Sequence, residues 1–230
     1  MSSETSEPPL PKPAKADPDA GLLKPDILRP FDWKELFGND HPVALDLGAG
    51  DGGFALAYAQ ARPDLNVLAV ERLLGRARKI ARRAARQNVT NLRVLRLETR
   101  YVMERMCPFA SVEEIHILFP DPWPKRRHWK NRILQTDFLE IAARALPAGG
   151  LFRFVTDHPG YSEWAAEVFA STSLLGPLPN AAEQNTRYPH TDFEAMFRAE
   201  GKPIHAHLYE RRLASSASAQ IAGEAPLPPS

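Results

Sequence analysis

The sequence predicts an α/β fold with a doubly wound, mostly parallel sheet. Apolar runs of strand length alternate with helical patterns of ten or more residues, which is the pattern of consecutive β-α-β units. Hydrophobic residues make up 43% of the chain and charged residues 25%, as in proteins with a buried core. The length of 230 residues suggests one domain or at most two.

The first half of the predicted sheet begins with the apolar run VALDL at 43–47, which glycines close. The helical segment FALAYAQARP at 54–63 follows it. NVLAVE at 66–71 is a second apolar run, and residues 73–87 repeat apolar side chains at helical spacing. NLRVLRLE at 91–98 is predicted to be the third strand.

The second half continues the alternation. EIHILF at 114–119 is the fourth predicted strand, and the helix at 133–146 ends at PAGG, a proline and glycine stop signal. LFRFVTD at 151–157 is the fifth strand. The remaining predicted elements are a helix at 161–172, a helix at 191–201 and a strand at 203–211.

The two ends of the chain differ from its centre. Residues 1–24 are polar and proline-rich, and residues 213–230 are similar. Neither segment has enough apolar surface to offset the entropy of ordering, so both are predicted to be disordered tails. The domain is expected at 25–212.

The sequence also favours a cytoplasmic location. The polar N-terminus lacks the apolar centre of a signal peptide, and no apolar run is long enough to predict a transmembrane helix. The single cysteine, Cys107, excludes an intrachain disulfide and is typical of the cytoplasm. The formal net charge of +1 means that any binding of nucleic acid must depend on local patches.

Five carboxylates are predicted at or near the carboxyl ends of the strands. In doubly wound sheets ligands bind beyond these ends, so the acids are expected to surround a binding site. They are Asp46, Glu71, Glu98, Asp121 and Asp157.

A glycine loop follows the first strand. Gly48, Gly50 and Gly53 satisfy the G-x-G-x-x-G pattern, and Glu71 lies at about the spacing of an acid that binds ribose. The alternative is a tight turn that needs glycines only for its backbone conformation.

Two acids favour S-adenosylmethionine over NAD in this loop. Asp46 precedes the first glycine by two residues, where an NAD site would have an apolar residue, and Asp51 lies within the loop, where it would repel a pyrophosphate. S-adenosylmethionine carries an ammonium and a sulfonium and no phosphate, so acids suit it.

The segment FPDPWPKRRHWKNRI at 119–133 combines an acid, a tryptophan and many cations. Asp121 could accept paired hydrogen bonds from a guanine edge and stabilise positive charge on a methylated ring nitrogen. Trp123 could stack on an unpaired base or belong to the core. Residues 125–132 could bind RNA phosphates or form a solvated surface.

A second basic surface is predicted on the helix at 73–87. One stripe of this helix is apolar, and cations lie on the other side, where they either extend an RNA-binding surface or are only solvated. The apolar stripe is Leu73, Leu74, Ala77, Ile80, Ala81 and Ala84, and the cations are Arg72, Arg76, Lys79, Arg83 and Arg86. The histidines show no metal-ligand spacing, so no metal site is expected.

The segment FPDPWPKRRHWKNRI at 119–133 resembles the signature of the tRNA (guanine-N7-)-methyltransferase family, F-x-D-P-W-x-K-x-R-H-x-K-x-R-[LI]. VTDHPGYSEW, from residue 155, resembles the T-D-x-x-x-Y pattern of that family, and TDFEAMF, from residue 191, resembles its T-x-[FY]-E-x-x-F segment. With the glycine loop, the resemblance covers residues 41–212.

The resemblance implies a Rossmann-like, S-adenosylmethionine-dependent methyltransferase that forms 7-methylguanosine in the tRNA variable loop. The implied partners are S-adenosylmethionine as methyl donor and tRNA, with the protein a monomer or homodimer. The implied cofactor residues are Asp46, Gly48, Gly50, Glu71, Glu98 and Asp121, and Asp121 is also the catalytic residue. The implied nucleoside contacts are Lys125, Asp157, Thr191, Asp192, Phe193 and Glu194, and the RNA contacts are Arg127, His128, Trp129, Lys130, Asn131 and Arg132.

The chain departs from the family pattern at two acids. Asp46 stands where a glutamate is common. Glu98 stands where an aspartate or asparagine followed by alanine is more usual, and Thr99 and Arg100 follow it here.

Three alternatives remain open from the sequence. The first is a methyltransferase acting on another RNA base or an exocyclic amine. The second is a non-catalytic RNA-binding subunit with the same fold, and the third is a nicotinamide oxidoreductase, which leaves the cationic segment unexplained.

Overall fold

A computed structural model describes residue 17 and residues 19–213. The chain alternates between strands and helices over most of this length. The strands are β1 (Leu22–Leu23), β2 (Val43–Leu47), β3 (Asn66–Val70), β4 (Leu92–Leu95), β5 (Glu114–Leu118), β6 (Leu151–Thr156), β7 (Leu175–Pro177) and β8 (His205–Arg211). The helices are α1 (Trp33–Phe37), α2 (Gly53–Ala61), α3 (Leu74–Arg86), α4 (Thr99–Tyr101), α5 (Thr136–Ala145), α6 (Pro159–Ala170), α7 (Ala181–Asn185) and α8 (Asp192–Ala199).

The described strands form one sheet in the order β1-β4-β3-β2-β5-β6-β8-β7. All pairs from β1 to β6 are parallel, and β8 runs antiparallel to both β6 and β7. The strand order reverses at the β2–β5 pair, because β3 and β4 lie on one side of β2 and β5 lies on the other. A crevice for a ligand is expected at such a reversal. The prediction of a doubly wound, mostly parallel sheet is confirmed.

Helices cover the two faces of the sheet with two separate apolar cores. On one face Phe138 of α5 and Tyr161 of α6 pack among the buried side chains of β5 and β6. On the other face Phe54 of α2 and Ile80 of α3 pack on β3 and β4. β2 and β3 are buried at every position, so their sequences read as continuous apolar runs instead of alternating patterns.

The predicted elements at 43–47, 66–71, 114–119 and 151–157 agree with β2, β3, β5 and β6 to within one residue. Five of these elements were not predicted: β1, α1, α4, β7 and α7 are only two, five, three, three and five residues long. Segments this short have too few residues for a periodic pattern to be detected.

The predicted N-terminal boundary at residue 24 needs correction. Leu22 and Leu23 pair with Val94 and Leu95 as the edge strand of the sheet. Asp19 also accepts a hydrogen bond of 2.8 Å from Nε of Arg78 on α3. The ordered domain therefore begins before residue 25, because two apolar residues complete the edge of β4. The rest of the predicted tails, at 1–16, 18 and 214–230, lies outside the described residues.

Within the described part of the chain, no helix is both long and apolar enough to cross a membrane.

Candidate active site

A cavity of about 690 Å³ lies beyond the carboxyl ends of β2, β3 and β5, where the strand order reverses. The glycine loop after β2 forms one wall of the cavity, and the segment after β5 forms another. The first turn of α8 and the N-terminus of α3 complete the lining. Four of the five predicted strand-end acids line this cavity, namely Asp46, Glu71, Glu98 and Asp121.

The glycine loop needs glycine at its turns. Gly48 and Gly50 have φ values of 82° and 58°, in the left-handed region that side chains disfavour. The Gly50 amide donates a hydrogen bond of 2.9 Å to Oε2 of Glu71, and the Leu73 amide donates one of 2.7 Å to Oε1. Glu71 therefore holds the loop in place and satisfies an amide that a pyrophosphate would otherwise need.

Asp46 is a buried carboxylate of the cavity, and its pKa is raised. It is 2% exposed, and its Oδ2 atom has no hydrogen-bond partner among the described residues. Burial raises the pKa of Asp46 to about 7, with a further contribution from the charge of Glu71, while the charge of Arg153 opposes the increase. A buried carboxylate without a partner costs stability, which is typical of a residue kept for binding.

Asp51 does not behave as a free acid of the cavity. Its carboxylate accepts a hydrogen bond of 2.8 Å from Nζ of Lys79, and its carbonyl oxygen accepts one of 2.9 Å from Nη1 of Arg83. The Lys79 hydrogen bond lowers the pKa of Asp51. Although Asp51 lines the cavity, it also attaches the glycine loop to α3.

The turn after β5 places Asp121 and Trp123 at the cavity. Phe119 and Trp123 have φ values of 50° and 44°, a conformation that costs of order 1–3 kcal/mol for a residue with a side chain. Asp121 is exposed, and Trp123 is half-buried and meets the His128 ring edge-on at 5.9 Å between centroids. Trp123 therefore faces the cavity and is not a core residue, and the backbone strain is concentrated where the ligand would bind.

Arg132 is buried in the structure, although it was predicted to contact RNA. It is 2% exposed, and its guanidinium carbon lies 4.5 Å from the ring centroid of Trp129 and 4.6 Å from that of Tyr161. Its Nε donates a hydrogen bond of 2.9 Å to the carbonyl oxygen of Pro122. Arg132 therefore fixes the strained turn against α6. Arg132 also lines the cavity, and its contact with RNA stays a prediction.

Trp129 is likewise packed inward. Its ring lies 5.4 Å from that of Trp164 on α6, and its carbonyl oxygen accepts a hydrogen bond of 2.8 Å from Gln135. Trp129 therefore packs against α6, and its contact with RNA stays a prediction.

The other cations of this segment remain accessible. Residues 126–131 form a 3₁₀ helix on which Arg127, Lys130 and Asn131 are exposed and His128 is half-buried. Lys130 and Asn131 also line the cavity. The spacing of 3.0 residues per turn explains how inward and outward side chains can alternate over so few positions.

The start of α8 supplies the last wall. The Thr191 hydroxyl caps the helix by accepting a hydrogen bond of 2.8 Å from the Glu194 amide, and Asp192 and Phe193 line the cavity with Thr191. A side chain at Gly53 would come within 2.8 Å of the Asp192 carboxylate, so glycine permits α8 to approach the loop closely.

The comparisons with known proteins agree with this geometry. Residues 40–207 match a family model described as a putative methyltransferase. A tRNA (guanine-N(7)-)-methyltransferase of Mycobacterium avium is 34% identical over 189 residues, covering 80% of this chain and 71% of the relative. A protein of Chlamydia felis with the same description is 33% identical, covering 80% of this chain and 82% of the relative.

The chain belongs to the tRNA (guanine-N(7)-)-methyltransferase family.

Solved structures agree on the fold. The 16S rRNA methyltransferase KamB superposes with a TM-score of 0.58 at 20% identity, covering 79% of this chain and 93% of that one. TrmN from Thermus thermophilus gives a TM-score of 0.52 at 20% identity, covering 77% of this chain and 46% of that one. The methyltransferase sheet expected from the family resemblance is therefore confirmed.

Three predicted nucleoside contacts of this family member lie away from the cavity. Lys125 and Asp157 do not line it. Glu194 is 0% exposed, and its Oε1 accepts hydrogen bonds of 3.0 and 2.7 Å from the Arg198 guanidinium. The prediction that Glu194 binds substrate directly is therefore corrected to a role inside the protein, because α8 turns this side chain toward the sheet.

Glu194 belongs to a buried polar cluster that sequence analysis did not identify. Arg153 of β6 is 1% exposed, donates a hydrogen bond of 2.8 Å to Oδ1 of Asn185 and lies 4.4 Å from the ring centroid of Tyr188. Burial lowers the pKa of Arg153 to about 10, while the nearby Tyr188, Glu194 and Asp46 oppose the decrease. The cluster joins Asp46 in the cavity to the α7–α8 segment. The signal for it was an arginine within the otherwise apolar strand LFRFVT.

Two exposed apolar residues at the cavity were not predicted from the sequence. Met196 on α8 and Leu73 before α3 are 44% and 47% exposed, and both line the cavity. Leu73 had been predicted as part of the apolar stripe of α3. Among the described residues, no group of three His, Cys, Asp or Glu side chains could hold a metal ion.

Proposed function

We propose that the protein transfers a methyl group from S-adenosylmethionine to N7 of a guanine in the variable loop of tRNA, forming 7-methylguanosine. The observation that carries this proposal is a single cavity that joins a glycine loop with buried acids to Asp121 and to exposed cations. Relatives that are 33–34% identical and described as tRNA (guanine-N(7)-)-methyltransferases support it.

The acids of the cavity fit S-adenosylmethionine better than a dinucleotide. When bound, this group supplies a methyl on a positively charged sulfur. The unpartnered Oδ2 of Asp46 suits its cationic amino acid part, since a buried carboxylate is stabilised by a nearby positive charge. A pyrophosphate would compete with Glu71 for the Gly50 amide and would be repelled by Asp46.

Glu71 and Glu98 are proposed to bind the nucleoside part of the methyl donor. Each Glu71 oxygen already accepts one backbone hydrogen bond and retains a second lone pair for a ribose hydroxyl. Oε2 of Glu98 accepts a hydrogen bond of 2.8 Å from the Tyr101 amide, which fixes the carboxylate at the cavity. Gly48 and Gly50 keep the loop free of side chains where the donor approaches.

Asp121 is proposed to orient the guanine and stabilise its product. Its two carboxylate oxygens can accept from the paired donors on the Watson–Crick edge of guanine. N7 has an in-plane lone pair, so no general base is required, and the positive charge that develops on the ring is stabilised by the nearby carboxylate. Catalysis here depends on positioning and electrostatics.

Trp123 and the start of α8 are proposed to hold the base. The Trp123 and Phe193 rings both line the cavity and offer stacking surfaces for an unpaired base. Thr191 and Asp192 provide polar groups beside them. Lys125 and Asp157, which do not line the cavity, are proposed to contact the nucleoside substrate at its entrance.

The exposed side chains of the 3₁₀ helix are proposed to bind the tRNA backbone. Arg127, His128, Lys130 and Asn131 are accessible, whereas Arg132 and Trp129 hold this segment on α6. We further infer a cytoplasmic protein that acts as a monomer or homodimer.

Methyl transfer from labelled S-adenosylmethionine to unmodified tRNA, followed by nucleoside analysis, tests the proposal. Labelled 7-methylguanosine is the expected product. Label in a different nucleoside would show that the methyl acceptor is another base. Binding of tRNA without any labelled product would identify a non-catalytic subunit.

A further inference from the structure

The helix α3 presents a cationic surface beside the cavity that the proposed function does not yet use. Residues 72–86 contain seven of the 29 Lys and Arg residues of the chain and no Asp or Glu. At 100° per residue Arg76, Lys79, Arg83 and Arg86 share one face of α3, opposite the buried Ala77, Ala81 and Ala84, and Arg72 lies just before the helix. We call this face, together with Arg72, the α3 surface. It consists of Arg72, Arg76, Lys79, Arg83 and Arg86.

The α3 surface is accessible and continuous with the cavity. Arg72, Arg76, Lys79 and Arg86 are exposed, and Arg83 is half-buried. Arg72 and Arg76 also line the cavity that contains Asp121. From residue 72 to residue 86 the face extends over roughly 21 Å at helical rise. A chain bound at the cavity mouth could therefore continue along it.

The helix α3 lacks several local features that usually stabilise a helix. Its N-cap is Leu73, which makes no side-chain capping hydrogen bond, and its first turn contains no acid. Arg76 instead places a positive charge in the first turn, where the helix dipole opposes it. Lys79 and Arg83 are like charges at i, i+4, which also destabilises a helix. Such violations are expected at functional sites.

Internal ion pairs do not explain the charge. Among the described residues, Asp51 is the one acid that pairs with the α3 surface, at 2.8 Å from Lys79 and 3.8 Å from Arg76. Arg78 pairs with Asp19 on another side of the helix. Asp51 is shared among several cations, and no carboxylate in the salt bridges of the described chain is paired with Arg72 or Arg86.

We infer that the α3 surface binds the phosphate backbone of the RNA substrate and, with the exposed cations of the 3₁₀ helix, holds it on two sides of the cavity. This inference rests on the proposed RNA substrate. Bound phosphates would reduce the repulsion among the cations of the α3 surface. They would also interact favourably with the positive end of the helix dipole at the N-terminus of α3. Each contact that neutralises a phosphate also makes affinity more sensitive to salt.

The test compares tRNA binding by variants that each remove two exposed cations, on and away from the α3 surface. Arg76→Gln/Arg86→Gln removes two cations from the α3 surface. Lys34→Gln/Arg144→Gln is the matched control, because both residues are exposed and lie beside the segments that lead into the amino ends of β2 and β5. Arg76→Lys/Arg86→Lys keeps the charge. Affinity for unmodified tRNA is measured by fluorescence anisotropy at several salt concentrations.

The Arg76→Gln/Arg86→Gln variant is expected to bind tRNA roughly tenfold more weakly near physiological salt. Its slope of log K against log salt should be smaller by about 1.5. The control and the Lys variant should keep the wild-type slope. Arg72→Gln, which lies outside the helix and cannot disturb its folding, should lower the slope by a little under one.

Equal slopes for the α3 variant and the control, with Arg72→Gln unchanged, would overturn the inference. Binding is measured without turnover, so this outcome differs from failure of the proposed function. That failure would be seen as wild-type protein that binds tRNA and forms no 7-methylguanosine.

Discussion

At the scale of single residues, the cavity contains two acids with different environments. Asp46 is buried and has a raised pKa, whereas Asp121 is exposed on a strained turn. The buried acid suits a fixed positive charge, because its ionised form lacks other partners. The exposed acid, Asp121, suits a nucleobase that must enter the cavity from solvent and leave it again.

Methyl-donor affinity should depend on pH through Asp46. Only the ionised carboxylate attracts an ammonium, and its pKa in the free protein is raised to about 7. Affinity for S-adenosylhomocysteine should therefore be constant above pH 8 and fall by up to about tenfold for each pH unit below 7. Calorimetric titration from acid to neutral pH measures this, with Asp46→Asn as a control that binds weakly at every pH. A wild-type affinity that does not change between pH 8 and 6 would contradict the role of Asp46.

Replacing Asp121 should impair turnover without affecting folding. Asp121→Asn keeps the shape but loses the negative charge that stabilises the methylated base, so we expect a loss of about 10²–10³ in kcat. Because Asp121 is exposed, the melting temperature should stay within error of the wild type. Glu140→Gln, at an exposed position on α5, is the matched control. Near wild-type turnover by Asp121→Asn would refute this assignment.

At the scale of elements, the cationic segment after β5 divides into two sets of side chains. Arg127 and Lys130 point outward, while Arg132 is surrounded by aromatic rings and bonded to the Pro122 carbonyl. The 3₁₀ helix thus separates exposed cations from the buried one that supports the turn carrying Asp121 and Trp123.

The two sets should respond differently to substitution. Arg127→Gln/Lys130→Gln should weaken tRNA binding and lower its salt dependence, with an unchanged melting temperature. Arg132→Gln should instead destabilise the fold by about 2 kcal/mol, because cation–π contacts and a buried hydrogen bond are lost. Thermal unfolding and tRNA binding of both variants decide the matter. If Arg132→Gln melts like the wild type and only its tRNA affinity falls, Arg132 contacts RNA after all.

The position of Arg132 shows a limit of prediction from sequence. A run of cations identifies a basic segment, but the direction of each side chain depends on the type of helix and on its neighbours. Trp129, Tyr161 and Trp164 come together around Arg132 only in the folded chain. The same limit applies to Glu194, which has the spacing of a binding residue and yet is turned inward.

At the scale of the whole molecule, the cluster around Arg153 joins the methyl-donor site to the α7–α8 segment. Arg153 bonds to Asn185, lies against Tyr188 and shares its charge with Asp46 and Glu194. α8 also supplies Thr191 and other residues to the cavity. One buried cation thus acts electrostatically on an acid of the cavity and on an acid of α8.

Replacing Arg153 by an uncharged residue should affect both the stability of the fold and the pKa of Asp46. Arg153→Met removes the buried hydrogen bond to Oδ1 of Asn185 and leaves that oxygen without this donor, so the free energy of unfolding near pH 7.5 should fall by about 1–3 kcal/mol. The charge of Arg153 lowers the pKa of Asp46, so the midpoint of the pH dependence of donor affinity should move above 7. Denaturant unfolding and the calorimetric titration measure the two effects. Arg153→Lys, which keeps the charge, should recover much of the midpoint, and an unchanged midpoint in Arg153→Met would exclude the coupling.

The sequence by itself determined the α/β architecture, the glycine loop and the acids at the strand ends. These features depend on local patterns: apolar runs, helical periodicity, and residues that must stand where a strand ends. The motifs around Asp121 also indicated the family, and relatives with 33–34% identity agree.

Only the tertiary structure decided which charges act as ligands and which support the fold. Asp46 became a buried, unpartnered acid, Asp51 was paired with Lys79, and Glu194 was enclosed beneath α8. The free energy of a charge depends on its burial and on partners that are distant in the chain. Neither quantity is encoded in the local pattern of residues, so the fate of each charge was settled by packing.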